Sequence, residues 1–391
     1  MEKFEGPLDE LWKMPNLPNI KNLTWDWWWW IVMWPSKKYP DRSEQLMILW
    51  STKETPAILV NNKPWIAAAK PNSNEENLVT LPGMTCGWYY DGERMYEPLV
   101  FKNERIVSIS SQHEDWKTDS SSGGAVITLT DQLLSTGLTD DKKKFWIRLE
   151  SDENAVENGA PQKFEIEMRP WNAALSKARR SFQKYQKNLG YDIIRIHGCK
   201  AEGKYDNEVI EGSAYLQKVR VQAPTIPWYW GFLHFSDGSY IDWFIPHISP
   251  LAFSSSDKSW QMKDFLEISL SKAALFHDAE RQRTEKFKKL KLKKSKSNYL
   301  IEKNDEKEIL PRFEIEMWNG RTMIVLTLDA ISRAYWSFDQ PTRGGMISHL
   351  CYNEYPLKVA GIAIQDEIGI RTIKHWDWIH GNAEHSWGIL H

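Results

Sequence analysis

The run EGSAYLQKVRVQAPTIPWYWGFLHFSDGSYIDWFIPH, Glu211 to His247, decides the fold. It reads as a strand ending in Gly-Ser-Ala-Tyr, a turn carrying Pro224 and Pro227, and a hairpin whose arms flank Ser236-Asp237-Gly238-Ser239. An Asp-Gly pair supplies the positive φ angles of a tight turn, and dense aromatics on both sides supply strand propensity. With Asp237 and Gly238 as a two-residue loop, Phe235 faces Tyr240, His234 faces Ile241 and Leu233 faces Asp242. Side chains alternate along a strand. This register therefore puts Trp230, Phe232, His234, Ile241 and Trp243 on one face, and Leu233, Phe235, Tyr240, Asp242 and Phe244 on the other. Both faces are apolar. Such a strand pair is covered on both sides, as where two barrels meet or a barrel lumen backs onto a second layer. His234 and Asp242, pointing to opposite sides of the hairpin, are the polar groups to question first.

Upstream, Trp25 to Trp34 is apolar at both parities apart from Asp26, which fits a strand buried on both faces and stopped at Pro35. Short strand-like segments broken by Asn, Gly, Pro and Ser follow from Gln45 to Glu150, the pattern of an antiparallel sandwich or barrel. Pro170 then opens a run in which Trp171, Ala174, Leu175, Ala178, Phe182, Tyr185 and Leu189 recur at helical spacing before Gly190. That spacing predicts one amphipathic helix packed on the first barrel. Beyond the hairpin, His277 to Glu308 is Lys-rich and reads as a solvated loop or edge-strand insertion, the one stretch suited to peripheral membrane contact. Strand signals resume from Phe313 to Trp376.

Three similarities occur in the same order in both halves. Trp27-Trp28-Trp29-Trp30 matches Trp228-Tyr229-Trp230-Gly231; Phe164-Glu165-Ile166-Glu167-Met168 recurs as Phe313 to Met317; Gly212-Ser213-Ala214-Tyr215 matches the glycine-led strand Gly381 to Gly388. Their common order favours two copies of one β unit. The expected organisation is an N-terminal arm over residues 1–22, a first barrel over 23–218, and a second over 219–391 that carries the Lys-rich insertion at 277–308.

A chain of 391 residues is long enough for two cores. Its 41% hydrophobic and 26% charged residues describe a soluble globular protein, and a net charge of −2 gives no footing for a nucleic-acid partner. Tryptophan is the outlier at 22 residues, enough indole to fill cores or to line a pocket for a large apolar ligand. Cys86, Cys199 and Cys351 are far apart, which suits a reduced, cytoplasmic protein better than a zinc site or disulfide framework. The N-terminus has no apolar h-region, and the run Trp27 to Trp34 is too short to span a bilayer as a helix.

A Trp-rich strand at Trp27 to Trp30, the closing Glu211-Gly212-Ser213-Ala214-Tyr215, the segment Trp228 to Ser239 and the final Gly381 to Gly388 together resemble the double lipocalin-like proteins. That group includes the carotenoid 1,2-hydratases, the AttH-type proteins and, more distantly, tocopherol cyclases and cofactor-independent Diels-Alderases. The resemblance implies two tandem lipocalin-like β-barrels, a pocket near their junction, and isoprenoid or polyketide ligands handled without metal or organic cofactor. In the hydratases the strand matching Gly212 to Tyr215 runs on into a His- and Asn-bearing Trp-Gly segment; here it continues Leu216-Gln217-Lys218-Val219-Arg220.

Hydration or cyclisation of an alkene needs a proton donor in an apolar pocket, aromatic faces for developing cationic charge, and exclusion of bulk water. His234, Asp242 and Glu211 are the candidate acids or bases, and Trp228, Tyr229, Trp230, Tyr240, Trp243 and Tyr215 the candidate ligand-binding faces. A carrier that holds a lipid or terpenoid in the same aromatic cavity is the alternative, and tryptophans that only fill cores are the third reading. His380, His385 and Glu384, His375 with Asp377, and the group His349, Tyr352 and Glu354 resemble metal clusters on paper. The opposite parity of His380 and His385 argues against a bound metal. No Gly-rich phosphate loop and no G-x-S-x-G elbow is present, which counts against ATP, dinucleotide and acyl-enzyme chemistry.

Overall fold

The computed structural model describes residues 2–13, 23–53, 58–61, 63–65, 72–75, 78–110, 123–128, 134–184, 188–222, 226–254, 260, 267–303, 306–341 and 347–390. Pro224, Tyr185 and residues 66–68 of an expected strand lie outside them. In the first half the strands are β1 (Trp25–Pro35), β2 (Ser43–Lys53), β3 (Ile58–Val60), β4 (Lys63–Trp65), β5 (Asn72–Glu75), β6 (Leu78–Tyr90), β7 (Met95–Ile109), β8 (Ala125–Thr128), β9 (Ser135–Leu138), β10 (Phe145–Glu150), β11 (Lys163–Pro170), β12 (Arg179–Lys184), β13 (Gly190–Tyr205) and β14 (Glu208–Gln222). The second half has β15 (Trp228–Phe235), β16 (Tyr240–Ile248), β17 (Ile268–Ser269), β18 (Ala273–Asp278), β19 (Arg283–Phe287), β20 (Lys289–Lys303), β21 (Glu306–Trp318), β22 (Met323–Ala330), β23 (Ala334–Pro341), β24 (Ile347–Gln365), β25 (Ile370–Thr372) and β26 (Ile379–Leu390).

The first sheet runs β11-β10-β9-β8-β7-β6-β2-β1-β14-β13 and closes through a β11–β13 pairing, an antiparallel barrel of ten strands. The second follows the path β19-β18-β16-β15-β26-β24-β22-β21-β20. Its two end strands, β19 and β20, are consecutive in the chain across Lys288, so covalent continuity turns the corner between them. The chain is thus two tandem β-barrels, as expected. The boundary expected at 218 falls inside β14, and β3 of the first half pairs with β23 of the second sheet.

The pattern of alternation explains three separate cores. Even residues of β1, such as Trp28, Trp30 and Trp34, pack in the first barrel, while Trp25, Trp29, Ile31 and Met33 face outward into a layer between the barrels. In β15 the odd residues Tyr229, Leu233 and Phe235 fill the second barrel, and Trp230 and Phe232 face the same middle layer. Two strands apolar at both parities are therefore the two walls that meet. The N-terminal arm does more than lie over the first barrel: Phe4, Leu8, Leu11 and Trp12 are part of its core, and Trp28 Nε1 donates to the Leu11 carbonyl at 2.6 Å.

Four sequence expectations are corrected. The hairpin register is Leu233↔Ile241 and His234↔Tyr240, one residue away from the expected pairing. A two-residue type I′ loop needs positive φ at both positions, but of the two only Gly238 has it, at +87°. The chain instead makes a three-residue loop, Ser236 to Gly238, with Gly238 in the left-handed position. This moves His234, Tyr240 and Asp242 to one face and Ile241 and Trp243 to the other. Second, the described residues 170–184 form no helix; the one α-helix among the described residues is Glu153–Glu157. Asn172 Oδ1 accepts from the amides of Ala174 and Leu175, which forms a turn, and β12 then pairs along the free edge of β13. Pairing with that long strand outweighs a helical spacing of apolar residues. Third, the Lys-rich run is not a loop, and its edge-strand reading holds: β20, the end strand of the second sheet, pairs with β21 over most of its length, with Leu290 in the core and Lys289, Lys291 and Lys293 exposed. Fourth, the shared Phe-Glu-Ile-Glu-Met words are not equivalent. Aligning β2-β1-β14-β13-β11-β10 with β16-β15-β26-β24-β22-β21 sets β11 against β22, whereas the second copy of the word lies in β21. The Trp-rich and glycine-led matches do align, as β1 with β15 and β14 with β26.

Candidate active site

The layer between the barrels is lined by aromatic rings in contact. Trp29 and Trp230 lie 5.2 Å apart, Tyr215 stacks on Phe232 at 4.9 Å, and Trp25 meets Phe338 edge-on at 5.2 Å. Trp27, Trp228 and Tyr352 are half-buried, so one margin of the layer reaches solvent. Two clusters of ionisable groups sit in it.

The first is a carboxyl pair. Antiparallel pairing of β24 with β26 sets Glu354 directly across from Glu384, and both are buried, at 0% and 6% exposure. The Tyr352 hydroxyl lies 2.6 Å from Glu354 Oε1 and 2.8 Å from Glu384 Oε2. A phenol has one proton, so both contacts are hydrogen bonds only when one carboxyl is protonated and donates to the phenolic oxygen. Glu384 is the better anion, because Trp228 Nε1 and the Ser386 hydroxyl also donate to its Oε1. Glu354 keeps the proton: its Oε2 is buried with no partner. Burial, then the neighbouring Glu384 charge, hold the Glu354 carboxyl well above the ordinary range. Burial pushes Glu384 up to about 7, against the pull of its hydrogen bonds from Tyr352, Trp228 and Ser386.

The second cluster forms where β13 and β16 face each other. A register shift in β13 between Ile196 and Cys199 re-aims His197 into the layer. His197 Nδ1 is 3.0 Å from the Tyr240 hydroxyl and 3.4 Å from Asp242 Oδ2, and Tyr240 donates to that same oxygen at 3.0 Å. Burial lowers the His197 pKa, with Asp242 partly offsetting it. Glu384 pairs across from Trp230 on one side of β15, and Asp242 across from Phe232 on the other. Strand spacing puts their Cα atoms about 12 Å apart on one face, with Trp230 and Phe232 between them.

His234 is fully buried at the edge of the second cluster. Its Nε2 lies 2.8 Å from the His197 carbonyl and must be the donor there, so Nδ1 accepts from the Ser213 hydroxyl at 2.9 Å. With both nitrogens engaged and burial lowering its pKa to about 3, His234 is a neutral tie between the barrels. Glu211 is on the surface with its side chain 70% exposed, ion-paired to Lys200 at 2.8 Å, and takes no part in the layer. Trp228, Trp230, Tyr240 and Tyr215 line the layer or its margin. Tyr229 and Trp243 face the second barrel's core instead, Tyr229 stacked on His247 and His385 at 4.8 and 4.3 Å. Gly231 makes room for Trp243, whose indole would lie 2.3 Å from a Cβ at that position.

Sequence reasoning marked Tyr352, Glu354 and Glu384 only as metal-like scatter, and missed His197. The usable signal was parity: Tyr352 and Glu354 share a face of β24, and Trp228 opens the strand beside β26. Among the described residues no group of three or more His, Cys, Asp or Glu side chains is placed to hold a metal ion.

No family model matches the sequence, and no curated protein matches it. Comparison with solved structures returns a putative AttH from Nitrosomonas europaea, 11% identical, TM-score 0.48, covering 98% of this chain and 97% of that one. It also returns CghA with Sch210972, 8% identical, TM-score 0.48, over 96% and 93% of the two chains. Kievitone hydratase from Nectria haematococca is 12% identical, with TM-score 0.37, over 92% and 88%. The AttH-type name is among those to which the Trp228 to Ser239 segment is similar. At such identities the chemistry rests on the site's own residues.

Proposed function

We propose that the layer between the barrels is the active site of a cofactor-free enzyme that protonates an alkene of an apolar, isoprenoid-like substrate, leading to hydration or cyclisation. The observation that carries this reading is the buried Glu354–Tyr352–Glu384 relay, which holds a proton near neutral pH among aromatic faces. The proton held on Glu354 passes to the Tyr352 oxygen as the phenol gives its own proton to Glu384, and Glu384 delivers that proton to one alkene carbon as the π electrons form the new C–H bond. The cation left on the neighbouring carbon is stabilised over indole and phenol faces such as Trp230 and Tyr215. Water then adds and loses a proton, giving an alcohol, or a second double bond attacks and a proton leaves from carbon. Asp242, with Tyr240 and His197 beside it, is the group positioned to take that proton from a substrate stretched along Trp230 and Phe232. The buried, well-separated Cys86, Cys199 and Cys351 suit a reducing cytoplasm.

The test is incubation in D₂O with acyclic isoprenoids such as squalene and geranylgeraniol, followed by mass spectrometry of extracted lipid. Deuterium bound to carbon with wild type and lost with Glu384→Gln supports the enzyme. Ligand retained without deuterium by both proteins overturns it in favour of a carrier.

A further inference from the structure

A second reactive group in the same layer is not used by the proton relay. Lys53 ends β2 on the face that carries Leu49 and Met47 into the middle layer, and it pairs across from Trp25. It is 6% exposed, and no carboxylate or hydroxyl among the described residues accepts from its ammonium. Its one polar-type contact is with the Trp25 ring, 5.2 Å from Nζ to the centroid. That indole is itself fixed: Trp25 Nε1 donates to the Ser51 hydroxyl at 2.6 Å, and the ring meets Trp27 and Phe338 at 5.4 and 5.2 Å.

A buried lysine is ordinarily tied to a carboxylate, because an unpaired ammonium costs several kcal/mol out of water. This chain makes such ties elsewhere: Lys218, equally buried, donates to Asp26 at 2.9 Å. Lys53 has no such tie among the described residues and lies against an aromatic wall, which is how a protein keeps an amine neutral and nucleophilic. Burial alone lowers its pKa to about 7.

We propose that Lys53 is a covalent capture site for apolar aldehydes or ketones, which it binds as a Schiff base with the hydrocarbon chain laid along Trp25, Trp27 and Phe338. The amine lone pair adds to the carbonyl carbon, forming the C–N bond. The resulting carbinolamine loses its oxygen with two hydrogens as water, leaving the C=N double bond, so no oxidant, reductant or further reactant is needed. The proposal does not depend on the proton relay, since Glu354, Tyr352 and Glu384 take no part in it.

The test is reductive trapping on the full chain. Protein at pH 7 is incubated with citral, an apolar enal, and sodium cyanoborohydride, then digested and mapped by mass spectrometry. The internal controls are the exposed lysines Lys37 and Lys291, whose side chains are 69% and 62% exposed. Lys53 is expected to be modified at least tenfold faster than either, with a rate that saturates in citral and rises through about pH 7. Glyoxylate, a charged aldehyde, is expected to show no such preference. Modification of Lys53 no faster than the surface lysines, or equal preference for glyoxylate, overturns the proposal. Because the readout compares sites within the wild-type protein, no variant has to fold for either result to count.

Discussion

Replacing Glu384 by glutamine should make the protein more stable at pH 8 and much less so at pH 5. In an unfolded chain this carboxyl titrates at its ordinary value of 4.5; in the fold burial raises it to about 7. The native state therefore binds the proton more tightly. Whatever favours the native state through this group is fully present below pH 4.5 and is lost as pH rises to about 7, after which the loss is constant. A shift of that size corresponds to about 3 kcal/mol, an upper figure because Glu354 titrates with it. Glutamine keeps the shape and still accepts from Trp228, and its amide donates to the Tyr352 oxygen, so the phenol proton passes to Glu354. Urea denaturation followed by tryptophan fluorescence, for both proteins at pH 5 and pH 8, reads the joint titration of Glu384 and Glu354, since the titrations of more distant groups cancel in the difference. The expected gain for the variant is about 1 kcal/mol at pH 5 and up to about 3 kcal/mol at pH 8. A difference that is the same at both pH values would refute the claim that burial raises the Glu384 pKa to about 7.

Tyr352→Phe removes the hydroxyl between the two carboxyls and should cost about 2 kcal/mol at pH 8 by the same denaturation assay. It should also lower the rate of deuterium incorporation into an isoprenoid alkene by about 100-fold. Asp26→Asn leaves Lys218 and Arg220 buried without their shared carboxylate, which accepts from them at 2.9 and 2.6 Å. The expected loss is about 3–5 kcal/mol, measurable as a lowered urea midpoint. Lys53→Met should stabilise the protein most below pH 7, because the buried amine's pKa is lowered to about 7 and stability is recovered only as pH rises from there to 10.5. The gain is bounded at about 5 kcal/mol and should disappear near pH 10.5. His234→Ala breaks the tie from β15 to Ser213 and the His197 carbonyl. A drop in thermal midpoint with no change in the pH dependence of turnover is the expected outcome.

The barrels were legible because their walls obey a period of two at strength. Trp25 to Trp34 and Trp228 to Phe235 are apolar at both parities, and both proved to be strands with a core on each side. The site was less legible, and the cause is one residue of register. Asp-Gly serves a two-residue turn and a three-residue turn alike, and the choice depends on the φ of Asp237, which sequence does not reveal. The three-residue loop brings Tyr240 and Asp242 to the side of His234, so a histidine and an aspartate expected to point apart share a face. The carboxyl pair was hidden for a different reason. Glu354 and Glu384 are 30 residues apart in sequence and meet only through the pairing of β24 with β26. The helix over 170–189 failed because a spacing of three and four is also produced by a turn followed by a strand.

The proton chemistry proposed for the layer requires a carboxylic acid that is still protonated at neutral pH. Infrared difference spectroscopy of wild type against Glu354→Gln and Glu384→Gln, in H₂O and D₂O at pH 7.5, reads this directly through the carbonyl stretch of a protonated carboxyl group. The expected result is a deuterium-sensitive acid band in wild type that is lost in Glu354→Gln. Spectra showing only ionised carboxylates in wild type, unchanged in either variant, would contradict the relay and the proton chemistry built on it.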